Sequence, residues 1–157
     1  MLFSAPRFFW SAALALGALF CGAARAAESV AAVPRMLPNL AYLAPDRAEK
    51  LDLYLPVAPA SGKRSPAVVW IHGGAFVGGA ASLYRLDRLA READAVVVSI
   101  NYRLGVFGFL APPTDASGAG HVLGLEDQRL AMRWVKANIA AFGGDPNRVT
   151  IAGESAG

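Results

Sequence analysis

The hydrophobic positions of this chain change period several times, and each change marks an element. Lys50–Val57 ("KLDLYLPV") alternates polar and apolar residues, as a half-buried strand does, and stops at a Pro/Ala/Ser/Gly stretch. Ala67–Ile71 ("AVVWI") and Ala95–Ile100 ("AVVVSI") are instead continuously apolar and rich in β-branched residues. Such runs predict strands covered on both faces, as in a parallel sheet between helices. Between them, Ser82–Ala93 carries leucines at 83, 86 and 89 and predicts a modest amphipathic helix. The strongest helical pattern is Leu125–Phe142, where Ala131, Val135, Ile139 and Phe142 fall on one stripe with Trp134 beside it. Arg129, Arg133 and Lys136 lie largely off that stripe. Gly143-Gly144 predicts the helix stop, since glycine readily takes the left-handed cap conformation. Asp145-Pro146-Asn147 predicts a turn, and Arg148–Ala152 a short strand. Strands alternating with helices predict an α/β fold with a largely parallel sheet.

The first residues do not belong to that domain. Arg7 precedes an almost uninterrupted apolar run from Phe8 to Ala24, and Ala24-Arg25-Ala26 fits the small-x-small pattern of signal peptidase. The run is short of the ~20 residues of a transmembrane helix, so a cleaved signal peptide over 1–26 is expected. A lipoprotein signal ending at Cys21 is disfavoured by bulky Phe20 where a small residue is wanted. Residues 27–48, rich in Ala and Pro and without a period, are expected to be an arm or linker, and 49–157 the domain. Cleavage removes two arginines and no acid, lowering the net charge from +3 to +1, so the basic balance indicates neither a nucleic-acid nor an anionic-membrane partner, and no stable membrane insertion is expected once the signal is removed. It also removes the only cysteine, which excludes a disulfide framework and a thiolate metal site from the exported part. Export without disulfides suits a bacterial periplasmic or secreted protein.

Two motifs carry chemistry. Gly153-Glu154-Ser155-Ala156-Gly157 is a G-x-S-x-G pentapeptide, which arises by chance in roughly one chain in twenty of this size. Its context decides: it directly follows a predicted strand, as a serine projected above a sheet edge requires, and both glycines suit a strained turn. "WIHGGAF" (Trp70–Phe76) directly follows the first buried strand. A glycine pair there can bring backbone N–H groups close to a developing oxyanion. Alone, Gly73-Gly74 would read as an ordinary strand-to-helix turn; the serine motif in the expected order outweighs that reading.

Together "VVWIHGGAFVGGAAS", "VVVSINYRLGVFGFL" and "GLEDQRLAMRWVKANIAAFGGDPNRVTIAGESAG" resemble the type B carboxylesterase (carboxylesterase and cholinesterase) family of α/β-hydrolases, from about Leu51 to the last residue. The resemblance implies the N-terminal half of an α/β-hydrolase fold, a mostly parallel sheet with flanking helices. It implies Ser155 as the acylated nucleophile and Gly74, Ala75 and Ala156 as oxyanion donors, with Gly73 shaping the loop. It further implies a small-molecule ester substrate and neither metal nor organic cofactor. One departure stands out: the family commonly has a cysteine in the strand near "KLDLYLPV", where this chain has Asp52. "LDLYLP" is closer to short bacterial esterases related to the hormone-sensitive-lipase group.

The triad of this fold runs Ser, then Asp or Glu, then His along the chain, whereas His72 and His121 both precede Ser155. His72 is expected to pack the oxyanion loop and His121 to sit in a surface loop. Asp127 and Arg103 are expected to form structural ion pairs or caps, and Trp70 and Trp134 to belong to the core. Glu154, on a tight turn, is expected to point away from where a triad acid would sit; an electrostatic influence on the site stays open. The acid and base are therefore expected beyond residue 157, in a longer chain of which this is an N-terminal piece, inactive alone. A non-catalytic binding or adhesion member of the same fold, and an inactive truncated product, are the alternatives; the retained serine and glycine loop weigh against the first.

Overall fold

The computed structural model describes residues 35–57, 62–110 and 122–157. The segment expected to be a signal peptide, the arm before residue 35 and His121 lie outside them. Five strands form one sheet in the order β1-β2-β4-β3-β5: β1 Arg35–Ala41, β2 Lys50–Leu55, β3 Ser65–Ile71, β4 Val96–Ile100 and β5 Gly144–Gly153. Helices α1 Leu86–Glu92, α2 Gly105–Phe109 and α3 Leu123–Asn138 accompany them, with short 3-10 turns at Ala81–Leu83 and Ile139–Phe142. The parallel part is β4-β3-β5; β1 and β2 extend the sheet antiparallel beside β4.

Alternation within the strands divides the core into two layers. Val69 and Ile71 of β3, Val98 and Ile100 of β4, and Leu51 and Leu53 of β2 face one side of the sheet. There they meet Ala131, Val135 and Ile139, the stripe of α3, all fully buried. Val97 and Tyr54 face the opposite side and meet Leu86 and Ala90 of α1, with Trp70 packed alongside. Full burial of each large aliphatic side chain contributes about 1.5–3 kcal/mol. Trp134 stacks on Phe142 at 5.9 Å against the α3-side core. Both tryptophans thus pack on the core as the sequence predicts.

Three elements differ from expectation. β2 is covered on both faces, not one, because α1 lies over the Tyr54 side while α3 lies over the other. Residues 35–41, within the expected arm or linker, form edge strand β1. Its register shifts between Leu37 and Leu40, where Asn39 takes a left-handed φ of 60°. That bulge erases the two-residue period that would have announced a strand. Asp52 accepts the Asn39 N–H at 2.8 Å, so this acid anchors the bulge. Finally, Asp145-Pro146-Asn147 lies inside β5, not before it. Ser65 pairs with Gly144 and Ala67 with Val149, so the turn bulges out of the strand, closed by the Asn147 N–H donating to Asp145 at 2.9 Å. Gly143 caps the preceding turn at φ 83°, as the sequence predicts.

A buried ion pair links the chain after β4 to α3. Asp127 is fully buried and lies four residues before Ala131, on the same stripe of α3. Its carboxylate accepts from Arg103 twice through the guanidinium, at 2.6 and 2.7 Å, and once through the backbone N–H at 3.0 Å. The Tyr42 hydroxyl donates to the Asn101 carbonyl at 2.6 Å; burial, reinforced by Asp127, raises its pKa above the usual phenol range. Asp127→Ala in the intact protein strands the guanidinium and is expected to destabilise by about 3 kcal/mol, with Asp127→Asn intermediate, as read by denaturant midpoints.

Candidate active site

Ile71, the last residue of β3, pairs with Gly153, the last of β5. Because the strands are parallel neighbours, the segments that follow, His72–Gly79 and Glu154–Gly157, leave the sheet side by side.

The second segment is a tight elbow. The Gly157 N–H donates to the Glu154 carbonyl at 2.9 Å, and Ser155 at the tip is exposed, with a left-handed φ of 56°. That conformation costs a non-glycine residue about 1–2 kcal/mol, so the surrounding backbone must impose it. A Cβ on Gly153 would lie 2.5 Å from the Gly157 carbonyl carbon and 2.8 Å from the Ile71 oxygen; one on Gly157 would collide with the same Ile71 oxygen. Both glycines of the motif are therefore steric necessities of the close strand-to-turn approach.

The first segment is a glycine loop. The N–H groups of Val77 and Gly78 both donate to the Gly74 carbonyl at 3.0 Å, folding the loop on itself. Gly74, Ala75 and Phe76 carry φ values of 115°, 53° and 65°. A Cβ on Gly74 would lie 2.6 Å from the Gly78 carbonyl carbon. A Cβ on Gly73 would meet the Glu154 carbonyl oxygen at 2.5 Å and the Ser155 Cβ at 3.0 Å, so loop and elbow are in direct contact. Among the described residues, the N–H groups of Gly74, Ala75 and Ala156 donate to no backbone carbonyl. These three amides, without a backbone partner among the described residues, stand on the glycine loop and on the elbow that carries Ser155.

His72 lies beneath the loop, as the sequence predicts. It is buried, its ring stacks on Tyr102 at 4.5 Å, and its Nδ1 is 2.9 Å from the Gly73 oxygen. The Tyr102 hydroxyl donates to the His72 carbonyl at 2.6 Å. With Nδ1 donating to Gly73, Nε2 is left as a buried acceptor without a partner among the described residues. The imidazole is bonded to the loop, not to Ser155. Glu154 is bonded likewise: its Oε2 accepts from the Tyr84 hydroxyl at 3.0 Å.

Two neighbours of the site, Tyr84 and helix α2, leave no signal in the local sequence pattern. Tyr84 reaches Glu154 across seventy positions of chain, which no local pattern reveals. Helix α2, five residues long, is too short for a helical period to show. Its Phe109 packs on Phe76 at 4.6 Å, and the pair lines an apolar cavity of about 370 Å³ with Ala75, Val77, Val106 and Leu110. No group of three or more potential metal ligands occurs among the described residues.

A parallel βαβ core, a serine on a sharp turn and a glycine loop at the adjacent strand end define the N-terminal portion of an α/β-hydrolase fold. The chain belongs to the carboxylesterase family, whose family model matches residues 50–157. It is 46% identical over 138 residues to the para-nitrobenzyl esterase of Bacillus subtilis (strain 168), covering 85% of this chain and 28% of that protein. It is 52% identical over 107 residues to the cocaine esterase of Homo sapiens, covering 68% of this chain and 19% of that one. The solved structure of a thermophilic PNB esterase superposes with a TM-score of 0.62 at 45% identity, over 68% of this chain and 22% of that one. The chain thus spans less than a third of the length of these relatives.

Because the glycines differ in what surrounds them, their substitutions should separate. Gly74→Ala and Gly157→Ala meet backbone and are expected to cost about 3 kcal/mol or more, or to leave the protein unfolded. Gly143→Ala, with nothing within 4 Å, is expected to cost only the about 1–2 kcal/mol of a left-handed alanine. Denaturant unfolding of the intact variants checks the order.

Proposed function

We propose that the intact protein is a serine carboxylic ester hydrolase. The observation that carries this reading is the exposed Ser155 held at φ 56°, on an elbow that touches the glycine loop. In this reading the Ser155 hydroxyl attacks the ester carbonyl, and the N–H groups of Gly74, Ala75 and Ala156 receive the negative charge of the tetrahedral intermediate. Collapse expels the alcohol and leaves an acyl-serine, which water cleaves to acid and free enzyme. A histidine that takes the serine proton and returns it to the leaving alcohol, and an acid that orients it, come from chain beyond residue 157, in the order this fold uses. Family membership and the esterase relatives support the reaction class. The described residues that line the cavity beside Ala75 are all uncharged, which suits the uncharged alkyl or aryl part of a small ester.

The same proposal places the enzyme outside the cytoplasm, in the periplasm or medium, after removal of residues 1–26. N-terminal sequencing of the mature protein is then expected to begin at Ala27; a mature protein that still carries Met1 would refute export by this signal.

Ser155→Ala in the intact protein is expected to lower kcat on a p-nitrophenyl ester by about 10⁴-fold or more and to abolish fluorophosphonate labelling. Wild-type turnover without labelling at Ser155, or turnover surviving the substitution, overturns the assignment.

A further inference from the structure

We infer that Tyr84 is a positioning residue that sets the spacing between the glycine loop and the serine elbow; the inference deepens the proposed esterase reading and rests on it for the catalytic consequence. The Gly73 N–H lies 3.3 Å from the Tyr84 hydroxyl oxygen, and that hydroxyl lies 3.0 Å from the Glu154 carboxylate. A phenol has one proton to give and lone pairs to receive. The donor order is therefore fixed: Gly73 N–H donates to Tyr84, and Tyr84 donates to Glu154. One hydroxyl thus bridges the loop after β3 and the turn after β5, which are separate in sequence by seventy positions.

The surroundings are built for this bridge. Tyr84 follows the 3-10 turn, where its own N–H donates to the Ala81 carbonyl at 3.3 Å, and its ring packs on Trp70 at 5.2 Å. Gly73 leaves open the space that the Glu154 carboxylate occupies, since a Cβ there would lie 2.6 Å from Oε2. The glycine therefore admits the carboxylate over the loop, and the carboxylate receives the tyrosine. The charged acceptor makes the Tyr84–Glu154 bond the stronger of the two. The bridge also engages the Gly73 amide, while the next two amides, on Gly74 and Ala75, keep no backbone partner. Two of the proposed oxyanion donors sit on the loop and the third on the elbow. Their mutual placement depends on whatever holds loop to elbow, and among the described residues Tyr84 is the side chain that bonds to both.

Tyr84→Phe keeps the ring on Trp70 and removes the bridge. In the intact enzyme it is expected to lower kcat on a p-nitrophenyl ester by about 10- to 100-fold with KM little changed. The affinity for an aryl trifluoromethyl ketone, which forms a tetrahedral adduct on the serine, is expected to fall by a similar factor. Glu154→Ala should match Tyr84→Phe, and the double variant should be no worse than either. Glu154→Gln keeps a carbonyl acceptor and is expected to stay within about threefold of wild type. Hydrogen exchange of the 72–79 segment should rise in both Tyr84→Phe and Glu154→Ala, whatever the ester activity. Wild-type kcat and ketone affinity in Tyr84→Phe, multiplicative losses in the double variant, or unaltered exchange of the loop each overturn the inference. Absence of turnover in the wild type refutes the esterase reading instead, and the exchange measurement then decides the bridge by itself.

Discussion

The molecule is organised by one close approach of backbone to backbone. The Ile71 carbonyl at the end of β3 lies where side chains on Gly153 or Gly157 would have to be. Because only hydrogen atoms fit there, β5 can run against β3 to its last residue and then turn at once. The left-handed Ser155, the contact between elbow and glycine loop, and the exposure of the hydroxyl all follow from that constraint. A side chain at either glycine would push the strand ends apart and move the serine from the loop.

The rest of the fold serves to hold those two strand ends in register. β4 and β3 are flanked on one face by the buried stripe of α3 and on the other by α1, which leaves the central strands no freedom to slide. The Arg103–Asp127 pair fixes the start of α3 relative to the chain leaving β4. A buried ion pair is a poor source of net stability but a strong constraint on arrangement, since each charge is costly without the other. It restricts the ways in which the helix can lie on the sheet. The stacked His72 and Tyr102 rings extend the rigid floor to the underside of the glycine loop, so the loop's unusual backbone rests on packed side chains.

Much of this was legible in the sequence where burial imposes a strict pattern. The apolar runs at β3 and β4, the stripe of α3, the cap at Gly143 and the glycine-flanked serine all follow from local rules. Asp127 was legible in principle, since it continues the Ala131, Val135, Ile139 series one turn earlier, although its charge disguised it. Three features were not legible, for separate reasons. β1 is distorted by the bulge at Asn39; the turn at Asp145–Asn147 is looped out of a strand that continues around it; and Tyr84 meets Glu154 only through tertiary structure. Local pattern thus indicated where the serine sits, and long-range contact supplies what holds it in place.

The β3–β5 pairing also governs the order in which the molecule can form. Ala67 and Val149 become neighbours only after the chain between them has closed a loop of about eighty residues, and such distant contacts form slowly. β4, α1 and α3 all lie within that interval and can pack before β5 arrives. The serine thus follows a strand that can pair with β3 only after that loop has closed. Until β5 docks, the β3 edge that it will pair is open, the kind of surface that recruits other chains. Assembly of the elbow and closure of the β3 edge are therefore the same folding event.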